Sequence, residues 1–369
     1  MSQLLQPLTI RATTFAHRVW VSPMCQYSCD PQTAPGVPTD FHLVHLGGFA
    51  TGGAALVVTE AAAVVPEGRI SPQDAGIWND DQAHAWARIV TFLHSQGAAA
   101  GIQLAHAGRK ASTYRPWAAQ QGSVPAADGG WGSVAPSALA YDDYAVPTAL
   151  DEAGIARVVQ GFADAARRAD EAGFDVVELH AAHGYLLHQF LSPLSNERTD
   201  SYGGDLEGRS RLLLEVLDAV RTVWPEDKPV FVRISTSDWV EGGWDVAQSV
   251  ELAKELHAHG GDLIDASSGG NDPRQQIPVG PGYQVPNAGR VRREAGVLVA
   301  AVGLILDPSQ AEQVLVSGEA DAIFLGRPLL ADPRWPQRAA VALHDIDAVA
   351  WPAQYVRATR DAVAHSAPR

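Results

Sequence analysis

Eight short runs of apolar, mostly β-branched residues restrict this chain more than any other feature, and most are followed by a helix-like stretch. They are 19–21, 55–59, 101–104, 176–180, 230–234, 263–266, 297–300 and 322–325. Their apolar residues are largely continuous rather than alternating, which suits strands covered on both faces, as in a parallel sheet. Between them the spacing changes to three and four. Residues 152–172 put Ile155, Val158, Val159, Phe162 and Ala166 on one face, and 207–223 do the same with Leu212, Leu213, Val216, Leu217 and Val220. Gly97, Gly173, Gly261 and Gly318 stand where a helix hands over to a strand, the place of a left-handed cap. Eight strands with helical crossovers predict a (β/α)8 TIM barrel of one domain over 1–369. A doubly wound open sheet would share the alternation but wants a Gly-rich turn after its first strand. Here that turn is Ser22-Pro23-Met24-Cys25, with no GxGxxG.

One stretch breaks the rhythm. Residues 106–150 are rich in Gly and Pro and carry Trp117, Trp131, Tyr141 and Tyr144. They read as a long insertion after the third strand, on the catalytic face, where such loops serve as lids or binding segments. Composition narrows the partners. With 27 Lys plus Arg against 42 Asp plus Glu, the formal charge of -15 repels nucleic acid. Two cysteines, Cys25 and Cys29, cannot frame a disulfide scaffold or hold an iron–sulfur cluster. The first residues lack the apolar core of a secretory signal, and no run approaches the ~20 residues of a membrane span. A cytoplasmic location away from membranes is the expectation.

In a barrel the strand ends carry the chemistry. Here they supply Ser22 to Tyr27, Glu60-Ala61, Gln103, His180 to Tyr185, Arg233, Ser267-Ser268, Gly303 and Gly326-Arg327. His180 and His183 are three apart, so both can meet one ligand only if the chain turns between them, which Ala181, Ala182 and Gly184 permit. The pair could donate to one oxygen, bind a metal with help from Glu178 or His188, or simply pack. Tyr185, in the same loop, could deliver a proton. Arg233 lies within an apolar strand and needs a partner, either a buried carboxylate such as Asp265 or an anionic cofactor. Gly303 and Gly326-Arg327 follow the last two strands, where barrels hold phosphate.

The segments SPMCQYS at 22–28, FHLVHLG at 41–47, IQLAHAGRKA at 102–111, ELHAAHGYLLHQFLSPLSNERTDSYGG at 178–204 and ADAIFLGRPLLADP at 320–333 resemble the Old Yellow Enzyme family, in its thermophilic-like subgroup. The resemblance runs from about residue 5 to 358. It implies an NADPH- or NADH-dependent FMN oxidoreductase, an ene-reductase acting on enones and nitro compounds by a ping-pong reaction. It implies FMN bound by Ser22, Pro23, Met24, Cys25, Ala61, Gln103, Arg233, Gly303, Gly326 and Arg327. His180 and His183 would bind the substrate oxygen beside Tyr27, and Tyr185 would donate the proton. Arg357, in the segment 351–369, would reach a neighbouring subunit's site in a homodimer or homotetramer, although the aromatic that commonly follows that arginine is absent here. No metal is implied. The rival readings are a metal-dependent barrel hydrolase and a non-catalytic flavin-binding protein.

Overall fold

The computed structural model describes residues 2–359. Eight parallel strands close into a barrel: β1 (Val19–Val21), β2 (Leu56–Ala63), β3 (Ala99–Ala105), β4 (Val176–Ala181), β5 (Val230–Ser235), β6 (Leu263–Ser267), β7 (Leu298–Ala301) and β8 (Ala322–Leu325). β8 returns to pair with β1, so the open-sheet alternative falls. Around them lie α1 (Asp40–Thr51), α2 (Asp80–Ser95), α3 (Glu152–Glu171), α4 (Leu206–Arg221), α5 (Val246–Ala258), α6 (Val285–Ala295), α7 (Pro308–Val316) and α8 (Trp335–Ala342).

Helix starts are set by local chemistry. Asn79, Asp151, Asp205, Asp245 and Asp307 each accept a hydrogen bond from a first-turn amide of the helix that follows, which satisfies a donor the helix cannot. Gly97, Gly173 and Gly318 have the positive φ expected of them. Gly261 does not. Gly260 makes the left-handed turn instead, at φ +90°, and a side chain at Gly261 would press on the Leu256 carbonyl 2.9 Å away.

The barrel interior has two levels. At the N-terminal end it is apolar: Trp20 stacks on Phe231 with ring centroids 5.6 Å apart, and Phe324 meets Trp20 edge-on. An antiparallel hairpin, Leu8–Ile10 with Thr13–Phe15, covers this end and adds Ile10 and Phe15 to the same cluster. One step of the two-residue period further along, the inward positions turn polar. Gly101 gives way to Gln103, Val176 to Glu178 and His180, Phe231 to Arg233, and Leu263 to Asp265 and Ser267. The strands' outward residues pack against the helices in the main core.

β2 differs from its expected bounds. Its pairing with β3 shifts between Val58 and Ala61, so Glu60 and Ala61 lie inside a bulged strand that continues to Ala63. The stretch 106–150 forms the predicted insertion, with only short turns and a two-residue pairing of Val134–Ala135 with Thr148–Ala149. Among the described residues no helix is long and apolar enough to cross a membrane.

Candidate active site

The chain turns sharply beyond β4, with His183 at φ +59° and Gly184 at φ +72°. Glycine is required there, since a Cβ would lie 2.7 Å from the Asn271 Cα and collide with the Gly270 carbonyl. The turn brings His180, His183 and Tyr185 together. The His180 ring centroid is 5.1 Å from that of His183 and 5.0 Å from that of Tyr185. His183 is fixed twice by hydroxyls: its N–H donates to Ser235 Oγ, and its Nε2 lies 2.7 Å from Ser267 Oγ. His180 Nδ1 is buried with no partner. Burial, and then the positive charge of Arg233, holds both imidazoles well below their ordinary pKa, so both are neutral. Burial raises the Tyr185 phenol, with Cys25 and Tyr27 adding to the effect.

Beneath them lies a charged layer. Arg233 Nε is 3.1 Å from Asp265 Oδ2, so the carboxylate expected from sequence is present. The contact is one of charge rather than of hydrogen-bond geometry, because Arg233 Nε and both Asp265 oxygens lack a hydrogen-bond partner. Gln103 Nε2 donates to Glu178 Oε1 at 2.8 Å, and Glu178 Oε2 is left unpartnered.

The other anticipated residues lie around this layer. Ser22 is buried at the end of β1, its N–H on the Leu325 carbonyl. Pro23 and Met24 follow, and a Cβ at Gly326 would lie 3.5 Å from Met24 Sδ. Cys25 follows, and its thiol feels the charge of Arg233. Its thiol is pushed up by burial and so stays protonated. Ala61 pairs with Gln103 across the sheet. Gly303, at φ +119°, sits against Gln284 and Tyr283, and the Tyr283 phenol feels both Arg327 and Arg233. Arg327 is exposed and forms no ion pair among the described residues. Tyr27, at φ +50°, meets Trp117 of the insertion edge-on at 5.5 Å.

Two residues escaped sequence reasoning. The sequence marks Ser267 only as a strand-end residue, yet it fixes His183. Lys110 lies in the 102–111 segment, where the sequence gives it no role. Its ammonium donates to the His183 carbonyl at 2.9 Å and to the Gly270 carbonyl, and lies 4.1 Å from the Tyr141 ring centroid. It thus ties the histidine turn to the insertion. Burial, with some repulsion from Arg109, lowers its pKa to about 7. No local signal marks it, because the carbonyls it holds lie 73 and 160 positions away in the chain.

Arg357 is exposed, and no hydrogen bond or ion pair joins it to these groups among the described residues. Residues 360–369 of its segment lie outside the described residues. His188 is committed elsewhere: its Nδ1 accepts from the Gly184 amide, and its Nε2 is 3.0 Å from Asp238. Among the described residues no three His, Cys, Asp or Glu side chains are arranged to hold a metal. A groove of about 640 Å³ on the outer wall, between α4 and α5, is lined by Glu207, Asp218, Glu251 and Glu255. Those carboxylates suit no anionic cofactor.

Residues 3–345 match the family described as NADH:flavin oxidoreductase / NADH oxidase. An NADPH dehydrogenase of Geobacillus thermodenitrificans is 47% identical over 97% of this chain and 98% of its own length. One of Bacillus subtilis is 45% identical over 96% and 98%. Among solved structures, morphinone reductase in complex with tetrahydroNAD is 29% identical with a TM-score of 0.76, covering 95% of this chain and 93% of that one.

Proposed function

The chain belongs to the NADH:flavin oxidoreductase / NADH oxidase family, the Old Yellow Enzymes, and from that premise we propose that it reduces activated C=C bonds of α,β-unsaturated carbonyl or nitro compounds, with Tyr185 as proton donor. It is a flavin oxidoreductase of the NADPH dehydrogenase type, and FMN is its cofactor. The observation that carries the finer reading is the cluster of two neutral imidazoles and a protonated phenol above the buried Arg233–Asp265 pair.

The residues present fit FMN. Arg233 Nε is buried without a hydrogen-bond partner and Arg327 is unpaired, so an anionic ring edge and a phosphate would each meet a cation. Gly326, with only Met24 near the place of a Cβ, leaves its backbone open to close approach, and Gly303 holds a φ of +119° that a side chain would disfavour. Ser22, Pro23, Met24, Cys25, Ala61 and Gln103 would complete the site. Bound FMN supplies the two-electron exchange between the nicotinamide and the substrate carbon.

The chain's own residues supply the rest. Ser267 takes one nitrogen of His183 and His180 Nδ1 is unpartnered, so one nitrogen of each ring is free to meet a substrate oxygen. N–H groups aimed at charge developing there contribute about 3–4 kcal/mol each in a water-poor site. The raised Tyr185 phenol keeps its proton at neutral pH and yields it only to a base as strong as an α-carbanion. Tyr27 would line the substrate pocket beneath the Trp117 edge. Donor and substrate would use the same pocket in turn, a ping-pong order. The proposal extends to a homodimer or homotetramer in which Arg357 serves a neighbouring site.

Purified protein is expected to be yellow, and anaerobic half-reactions test the assignment. Tyr185→Phe should slow reoxidation by 2-cyclohexenone while flavin reduction by NADPH proceeds at its normal rate. Equal damage to both half-reactions would remove Tyr185 as the donor.

A further inference from the structure

The polar layer inside the barrel holds two carboxylates and one guanidinium. Glu178 from β4 and Asp265 from β6 are both fully buried, and Arg233 from β5 is the cation between them. Gln103 from β3 gives Glu178 one neutral donor, and His180, one step further along β4, is a neutral imidazole. Below the layer the interior is Trp20, Phe231 and Phe324, which contribute no charge. Two ionised carboxylates facing one cation would leave a net buried negative charge, with three carboxylate oxygens lacking any hydrogen bond. A low-dielectric interior does not sustain that state, and like charges at close quarters resolve it by keeping a proton.

We propose that Glu178 and Asp265 share a single proton at neutral pH, held on Glu178, and that this proton sets the net charge Arg233 presents to the flavin. Asp265 is the ionised member because it faces the guanidinium directly, at 3.1 Å. Glu178 keeps the proton because its nearest donor is a neutral amide. The directions of both pKa values agree. Burial raises Glu178 and the charge of Asp265 raises it further, against smaller opposing pulls from Arg233 and the Gln103 hydrogen bond, whereas Asp265, also raised by burial, has only the opposing pull of Arg233. The layer is then neutral at pH 7. It becomes negative when alkaline pH takes the proton from Glu178 to bulk water.

The proton inventory stands on these side chains alone, and its effect on the flavin rests on the FMN site proposed above. Infrared spectroscopy of the purified, FMN-loaded protein at pH 7 tests the inventory. The carbonyl stretch of a buried protonated carboxyl is expected in the wild-type spectrum after subtraction of Glu178→Gln, which cancels the contribution of buried Asp74, itself raised to about 7 by burial, and it is lost on alkaline titration. Asp265→Asn should lose it too, because one carboxylate then faces one cation and ionises. A difference spectrum without the band, or a band that survives in Asp265→Asn, overturns the proposal. The midpoint potential of bound FMN tests the effect. It should fall more steeply with pH in the wild type than in Glu178→Gln across the range in which the band disappears. Parallel potentials with a titrating band would keep the shared proton but overturn its action on the flavin. Colourless protein that still shows the band would refute the FMN reading alone.

Discussion

Replacing Lys110 by methionine separates the two things this buried ammonium does. Its pKa lies at about 7 against an ordinary 10.5. That gap of about 3.5 units is worth roughly 5 kcal/mol at about 1.36 kcal/mol per unit, set against the charged form in the folded protein. An unfolded lysine stays protonated up to its ordinary pKa, whereas the folded one releases its proton near 7. Between those values the unfolded chain binds more protons, so stability rises with pH and the penalty is fully present only below 7. From pH 7 to 9 the gain is about 2 kcal/mol, allowing for half-protonation at the start. For a chain of 369 residues this is about 3 °C in Tm, at roughly 2.1 cal/mol/K of unfolding entropy per residue. Lys110→Met removes that increment but strands the His183 and Gly270 carbonyls, at about 1–3 kcal/mol each. Melting curves of both proteins at pH 7 and 9 give the comparison, with every other titrating group common to the two. The wild type should gain about 3 °C more than the variant. Parallel movement would refute the buried-ammonium argument. The freed histidine turn should also weaken binding of a phenolic ligand about tenfold, the loss of one hydrogen bond's worth of placement.

Other substitutions probe separate parts of the site. His180→Ala should lower the rate of enone reduction by about 10²–10³-fold while leaving FMN bound, and unchanged affinity for phenolic ligands would take it out of the oxygen site. Gly184→Ala forces a side chain into φ +72° against the Gly270 backbone. At about 1–2 kcal/mol for the left-handed conformation alone, it should lower the melting temperature and broaden ligand specificity, and an unaffected melt would show that the turn can relax. Arg327→Ala should weaken FMN retention by about 10–100-fold, the worth of one charge-assisted bond, as measured by fluorescence of released flavin on dilution.

The barrel was legible because its strands are buried on both faces, so each reads as a largely apolar run whatever its neighbours. Errors came from details that a single run cannot encode. The bulge in β2 depends on its pairing with β3, and Gly260 rather than Gly261 turns because of where the Leu256 carbonyl lies. The histidine turn and Tyr185 were readable because they sit within six residues of one another. Ser267 was not, since it meets His183 from 84 positions away. Lys110 likewise acts through carbonyls 73 and 160 positions distant. The aromatics of the insertion were visible, but only the folded chain shows Trp117 against Tyr27 and Tyr141 over Lys110.

The hairpin that brings Ile10 and Phe15 under Trp20 shuts one end of the barrel with aromatic and aliphatic bulk. That leaves the opposite end for any bound group. If the donor and the acceptor proposed above both need it, they must queue, and the alternating order would then follow from the architecture before any catalytic side chain is considered.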